Sequence, residues 1–244
     1  MSARNSQTSG VLIEPFDVPA DKKIVDFGPS PYYANTSTAP RAKLSCYFYL
    51  TFIVKEYDEG EKGAEWLAIA PIGDMKAPEC SRSHVPSEKV IEGREWSGYF
   101  KGARGNLVFF TGDDGYNGGM PFAVYDSRTG KKLFDDVAYD SSFVNKGVPD
   151  SPFNRLRVSG PHDSPRLSYL RVIATDCDLH REGATCWETI KKQFGLSGPG
   201  PVCSGYSGIN TPYPSVVAYP VEVSLFPEPS TKTEVGPIRC WPVD

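Results

Sequence analysis

A chain of 244 residues with 39% hydrophobic and 12% aromatic side chains carries enough apolar surface to bury a core, which excludes disorder. Its 26 Lys and Arg against 30 Asp and Glu leave a net charge of −4. With the basic residues scattered, neither nucleic acid nor an anionic membrane is an expected partner, and no run reaches the roughly 18 apolar residues of a membrane-spanning helix.

Residues 1–43 form a proline-rich opening. Val11-Leu12-Ile13 is followed by Pro15, Pro19, Pro29, Pro31 and Pro40, a frequency that excludes helix and interior strand. The expectation is an extended arm, packed on its own domain or adding a strand to a neighbour, so self-association through residues 1–40 is a candidate property. Met1–Gly10 is polar and lacks the apolar stretch of a signal peptide, so a secretory route presumes that the leader has been removed. Asn35-Thr36-Ser37 is a glycosylation sequon.

Residues 44–244 read as one β-rich domain, since no clean linker divides the strands. The first strand is predicted over Leu44–Val54, where Leu44, Cys46, Phe48, Leu50, Phe52 and Val54 fall on one face. A charged turn over Lys55–Gly63 leads to a second strand at Trp66–Pro71, completing a hairpin, and residues 73–95 read as irregular. Strands follow at Leu107–Thr111, Pro121–Tyr125 and Lys131–Phe134, with Asp126–Gly130 as the turn between the last two. This meander is similar to one blade of a β-propeller.

Further strands are predicted at Arg155–Ser159 and Leu167–Thr175. Thr185 and Glu188 then have the spacing of a capping box, and Trp187, Ile190 and Phe194 recur on one helical face. A short helix is expected near 186–194, stopped by Gly195. Ser197–Pro214 reads as a loop. The last long strand is Val217–Leu225, in which Pro220 calls for an edge or a bulge. The expected fold is mainly β, an antiparallel sandwich or an irregular small propeller, stapled by disulfides.

The staples are Cys46, Cys80, Cys177, Cys186, Cys203 and Cys240. Their number is even and no C-x-x-C pair occurs, so metal and redox motifs are excluded in favour of a disulfide framework. Such a framework places the chain outside the cytoplasm, as a secreted or periplasmic protein. Cys46 with Cys80 and Cys177 with Cys186 are the sequence-local pairs, and Cys240 anchors the tail.

The densest polar constellation is Asp176, Asp178, His180 and Glu182. If the preceding strand continues, all four point to one face, where carboxylates and an imidazole divide acid and base roles or bind a divalent metal. The plain reading is a solvated charged turn. Asp113, Asp114 and Asn117 lie among glycines in a second acidic stretch able to wrap calcium, the one cofactor the sequence brings forward. Its plain reading is a hairpin, because Asp-Gly and Asn-Gly are favoured turn dipeptides. Trp96 and Tyr116 are candidate platforms on which a sugar ring stacks. These features rank a binding protein for carbohydrate first, ahead of an extracellular filament subunit that exchanges its arm and of an Asp/Glu-dependent hydrolase. They do not decide whether the chain is an enzyme.

Overall fold

The computed structural model describes residues 16–33, 39–73, 78–140, 156–161, 164–233 and 236–243; the Val11–Ile13 run and the Asn35–Ser37 sequon lie outside them. Among the described residues fourteen strands make two antiparallel sheets. The first sheet is built in chain order from β1 (Asp21–Pro29), β2 (Arg41–Phe48), β3 (Phe52–Asp58), β4 (Trp66–Pro71) and β5 (Lys89–Glu92). Part of the proline-rich opening thus becomes the edge strand of its own chain's sheet.

The alternation over Leu44–Val54 belongs to two strands. The chain reverses at Leu50-Thr51, Tyr49 N donates to Phe52 O at 2.9 Å, and Leu50 stands 90% exposed at the tip. Neither Gly, Asn, Asp nor Pro occupies that tip, so the turn carries no local signature. The predicted charged turn is also corrected, because β3 runs on through Lys55, Glu56 and Asp58. Each of those charges finds a partner: Lys55 binds Glu88, Glu56 accepts the Phe100 amide, and Asp58 pairs with Lys43. Satisfied charges do not end a strand.

The second sheet contains β6 (Gly98–Arg104), β7 (Leu107–Gly112), β8 (Gly119–Asp126), β9 (Lys132–Tyr139), β10 (Arg157–Ser159), β11 (Arg166–Ala174), β12 (Ser215–Ser224), β13 (Ser230–Thr233) and β14 (Arg239–Pro242). Its order is β13-β12-β11-β9-β8-β7-β6, with β10 paired to β11 and β14 to β12. The strand carrying Pro220 is therefore interior. Pro220 pairs with Leu170 on one side; on the other it falls between the stretch that meets β14, Ser215–Ala218, and the stretch that meets β13, Val221–Ser224. Neither short strand needs the missing amide.

Both faces of the central strands are buried. Val108, Phe110, Ala123 and Tyr125 pack against Phe52, Val54, Leu67, Ile69 and Ile91 of the first sheet. Leu107, Phe109, Phe122 and Val124 face the other way, in one core with Leu179, Trp187 and Ile190 of the helical layer. The architecture is a sandwich with helices on its far side; among the described residues no barrel closes and no propeller blades form.

The helical layer is α1 (Leu179–Glu182) and α2 (Ala184–Phe194). The predicted helix is present and stops at Gly195, whose φ of 65° is the left-handed cap. Its start differs: Gly183 is the N-cap of α2 and offers no side chain. Reciprocal capping sits one turn earlier. Asp178 Oδ1 accepts from Arg181 N at 3.1 Å, and Glu182 Oε1 accepts from Asp178 N at 3.0 Å.

Three disulfides, Cys46–Cys80, Cys177–Cys186 and Cys203–Cys240, use all six cysteines. The first holds the segment after Pro78 over the outer face of the first sheet. The second closes α2 onto the end of β11, and the third ties the 203 loop to β14.

Candidate functional site

β11 ends at Ala174, so the strand that would align Asp176, Asp178, His180 and Glu182 does not continue. Asp178 is buried and committed to the helix start; its Oδ2 also accepts from Tyr213 N at 2.9 Å and lies 3.6 Å from Arg181 Nε. His180 stacks on Tyr206, ring centroids 4.6 Å apart. Only Asp176 and Glu182 come together. They border a depression of about 130 Å³ lined also by Thr175, Thr185, Thr189 and Gln193. That volume falls below the roughly 300–1,000 Å³ of ordinary ligand sites.

The acidic stretch forms a tight hairpin. Tyr116 and Gly119 exchange both backbone hydrogen bonds at 2.9 Å around Asn117-Gly118, whose φ values of 51° and 73° are those of a two-residue turn with both centres left-handed. Asp114 forms an ion pair with Lys62, a hydrogen-bonded contact that holds its carboxyl below the usual carboxylate range. Asn117 O accepts from Trp241 Nε1 at 3.2 Å. Among the described residues no group of three or more His, Cys, Asp or Glu side chains converges on a point where a metal would sit. Of the two aromatic candidates, Trp96 is half-buried against the core between the sheets and donates its Nε1 to Thr111 O at 3.2 Å, whereas Tyr116 is 54% exposed beside the turn.

A larger site lies elsewhere, on the outer face of the first sheet. Residue partners in the β1–β2 ladder set Asp21 beside Phe48, Lys23 beside Cys46 and Val25 beside Leu44, all on the face that turns away from the second sheet. The Cys46–Cys80 bridge draws Pro78 and Glu79 over that face. Between them is a cleft of about 520 Å³ lined by Asp21, Lys23, Val25, Phe48, Pro78, Glu79 and Cys80. Lys23 Nζ stands 5.2 Å above the Phe48 ring and 3.9 Å from Asp21. The floor is apolar and aromatic, and the rim carries two carboxylates and one ammonium.

No protein-family model matches this chain, and neither a curated protein nor a solved structure matches it.

The chemistry open to the cleft follows from its lining. An aromatic ring accepts the C–H face of a ring-shaped ligand, and carboxylates accept hydrogen bonds from hydroxyls at its edge. None of Asp21, Phe48 or Glu79 stands out in the sequence, because the cleft joins segments far apart in the chain. The Cys46–Cys80 bridge brings the 78–80 segment onto β2, a consequence that the spacing of the two cysteines does not show.

A second polar cluster also escapes sequence patterns. Asp136 on β9 accepts from Tyr169 Oη and from Arg171 Nε on β11, the latter at 2.6 Å. Desolvation, then the neighbouring Asp136 charge, pushes the Tyr169 phenol far above its ordinary range. Arg171 and Ala138 are the one register pair between β9 and β11, so this network reinforces the thinnest seam of the second sheet. Its geometry is structural, and neither the 520 Å³ cleft nor the 130 Å³ depression is lined by it.

Proposed function

We propose that the chain is a binding protein of an oxidising, extracytoplasmic compartment, and that it takes carbohydrate in the cleft between β1, β2 and the Cys80 segment. The observation that carries the reading is the cleft's size and lining: about 520 Å³, with an aromatic floor at Phe48 and carboxylates at Asp21 and Glu79. Compartment is supported by three disulfides with no free cysteine, bonds that persist where thiols are not kept reduced. Among the described residues no helix is long and apolar enough to cross a membrane.

The test is retention on an immobilised oligosaccharide panel, followed by calorimetric titration of each glycan retained. Phe48→Ala and the pair Asp21→Asn with Glu79→Gln weaken binding roughly tenfold or more, while Asp176→Asn leaves it unchanged. A panel that retains nothing, or glycans that bind Phe48→Ala as well as the parent, overturns the reading. A hydrolase is the second reading, favoured by two carboxylates on one cleft. New reducing ends from a bound oligosaccharide, lost in both carboxylate variants, would replace binding with cleavage.

A further inference from the structure

The four sheet ends differ in how they are protected. β5 and β13 are short, four residues each, as are the two strands off the main path, β14 with four residues and β10 with three. β6 is covered by the chain's own start: Asp17 N donates to Ala103 O at 2.7 Å, Gly105 N donates to Asp17 Oδ2 at 2.6 Å, and Phe16 lies over Gly102. β1 is different. It is nine residues long, pairs with β2 on one side, and has no strand on the other among the described residues. Its Ile24 is 58% exposed and its Phe27 42%. A long edge with exposed apolar side chains is a template for another strand, normally blunted by charge, brevity or cover.

The charges on β1 do not simply blunt it. Lys22, Ile24 and Asp26 share one face, and Lys23, Val25 and Phe27 the other. A two-fold axis perpendicular to the sheet pairs two β1 strands antiparallel and brings like faces together. Centred on Ile24, it sets Lys22 opposite the partner's Asp26, Ile24 opposite the partner's Ile24 and Lys23 opposite the partner's Val25. Both ion pairs form, one on each side of the axis. The neighbouring registers that keep the faces matched set Lys23 against Lys23, or Ile24 against Asp26. Opposite charges directly across a ladder stabilise it and like charges oppose it, so one register is favoured. Lys22 and Asp26 are also accessible: Lys22 lies over the Tyr47 ring at 4.7 Å, and the half-exposed Asp26 holds Arg41 at 2.6 Å.

We propose that the protein forms a two-fold dimer by antiparallel pairing of β1 with β1 of a second copy, centred on Ile24. The two first sheets then run as one continuous sheet. Because Asp21, Lys23 and Val25 also line the cleft, two clefts open side by side on the same face of that sheet.

Sedimentation equilibrium of the full chain, at low and at high salt, tests this without any ligand, so its outcome is independent of the carbohydrate reading. A reversible monomer–dimer equilibrium that weakens with salt is expected. Lys22→Asp and Asp26→Lys each place like charges across the axis and weaken dimerisation roughly tenfold. The double variant Lys22→Asp/Asp26→Lys exchanges the charges and restores it. Circular dichroism confirms that each variant is folded; should either single variant misfold, the other single and the double variant give the answer. A parent protein that stays monomeric at all accessible concentrations overturns the proposal, as does a dimer indifferent to both single inversions.

Discussion

Lys55 and Glu88 hold each other at 3.0 Å with side chains 1% and 0% exposed. Lys55 Nζ also donates to Ser83 O at 3.1 Å, and Glu88 accepts from Val85 N at 3.1 Å while its second oxygen meets His84 Nδ1 at 3.0 Å. The segment from Cys80 to Glu88 is thus clamped over the outer face of the first sheet twice, by the Cys46–Cys80 bond and by this ion pair. The wall of the cleft is one end of the clamped segment.

Removing one partner from a buried pair strands the other without solvent. Lys55→Met and Glu88→Leu should each lower unfolding stability by about 3–5 kcal/mol, read from urea denaturation. The double variant should cost less than the sum of the singles, since neither charge remains to be stranded. Additive losses would show that the two side chains do not depend on each other.

Glu56 gives a pH dependence with a defined sign. Burial pushes its carboxyl above the ordinary value of 4.5, opposed by the Phe100 amide that donates to it at 2.6 Å. The native state therefore holds this proton more tightly than the unfolded chain does. Its contribution to stability is fully present below 4.5, is lost as pH rises through the raised native value, and leaves a penalty at neutral pH. Glu56→Gln keeps an oxygen for Phe100 N and removes the charge. Its melting temperature should exceed the parent's at neutral pH, with the gap closing under acid. A gap that persists when both side chains are neutral would assign the gain to packing.

The seam between β9 and β11 supplies a third test. Asp136→Ala removes the acceptor shared by Tyr169 and Arg171, leaving a buried phenol without its acceptor and a partly buried guanidinium without its carboxylate. Because Arg171 keeps some exposure to water, the expected cost is about 2 kcal/mol, less than for a fully buried pair. Amide exchange should accelerate first in β9 and β11. Uniform acceleration across both sheets would mean that the seam opens only with the whole molecule.

Where the sequence is legible, a local cause is visible. Trp66–Pro71 is bounded by a charged loop and a proline, and β4 occupies those residues. The helix stop at Gly195 needs only a glycine in the left-handed region. Other features depend on contacts far along the chain. β6 has no alternation to read, and its Gly102 is required by Phe16: a Cβ there would lie 2.5 Å from the Phe16 ring. The hairpin tip at Leu50-Thr51 hides inside an unbroken apolar alternation. Asp178 and Glu182 look like site residues because capping and chemistry use the same side chains. The cleft draws on 21–25, 48 and 78–80, and no spacing within the chain announces that they meet.

The three disulfides should contribute unequally. In the chain-entropy account a bridge stabilises by restricting the unfolded chain, and longer loops gain more. Cys46–Cys80 and Cys203–Cys240 close separations of 34 and 37 residues, whereas Cys177–Cys186 closes 9. The expected contributions are about 3.8 kcal/mol for each long bridge and about 2.6 kcal/mol for the short one. Thiol titration of the denatured protein should find no free thiol before reduction and six after it. Paired alanine variants, unfolded in urea, then rank the bridges. The Cys46→Ala/Cys80→Ala variant should in addition lose the cleft, because Pro78 and Glu79 are no longer held over Phe48. Equal losses from all three variants would show that native contacts, and not loop length, set the value of each bond; free thiols in the unreduced protein would withdraw both the disulfide framework and the oxidising compartment built on it.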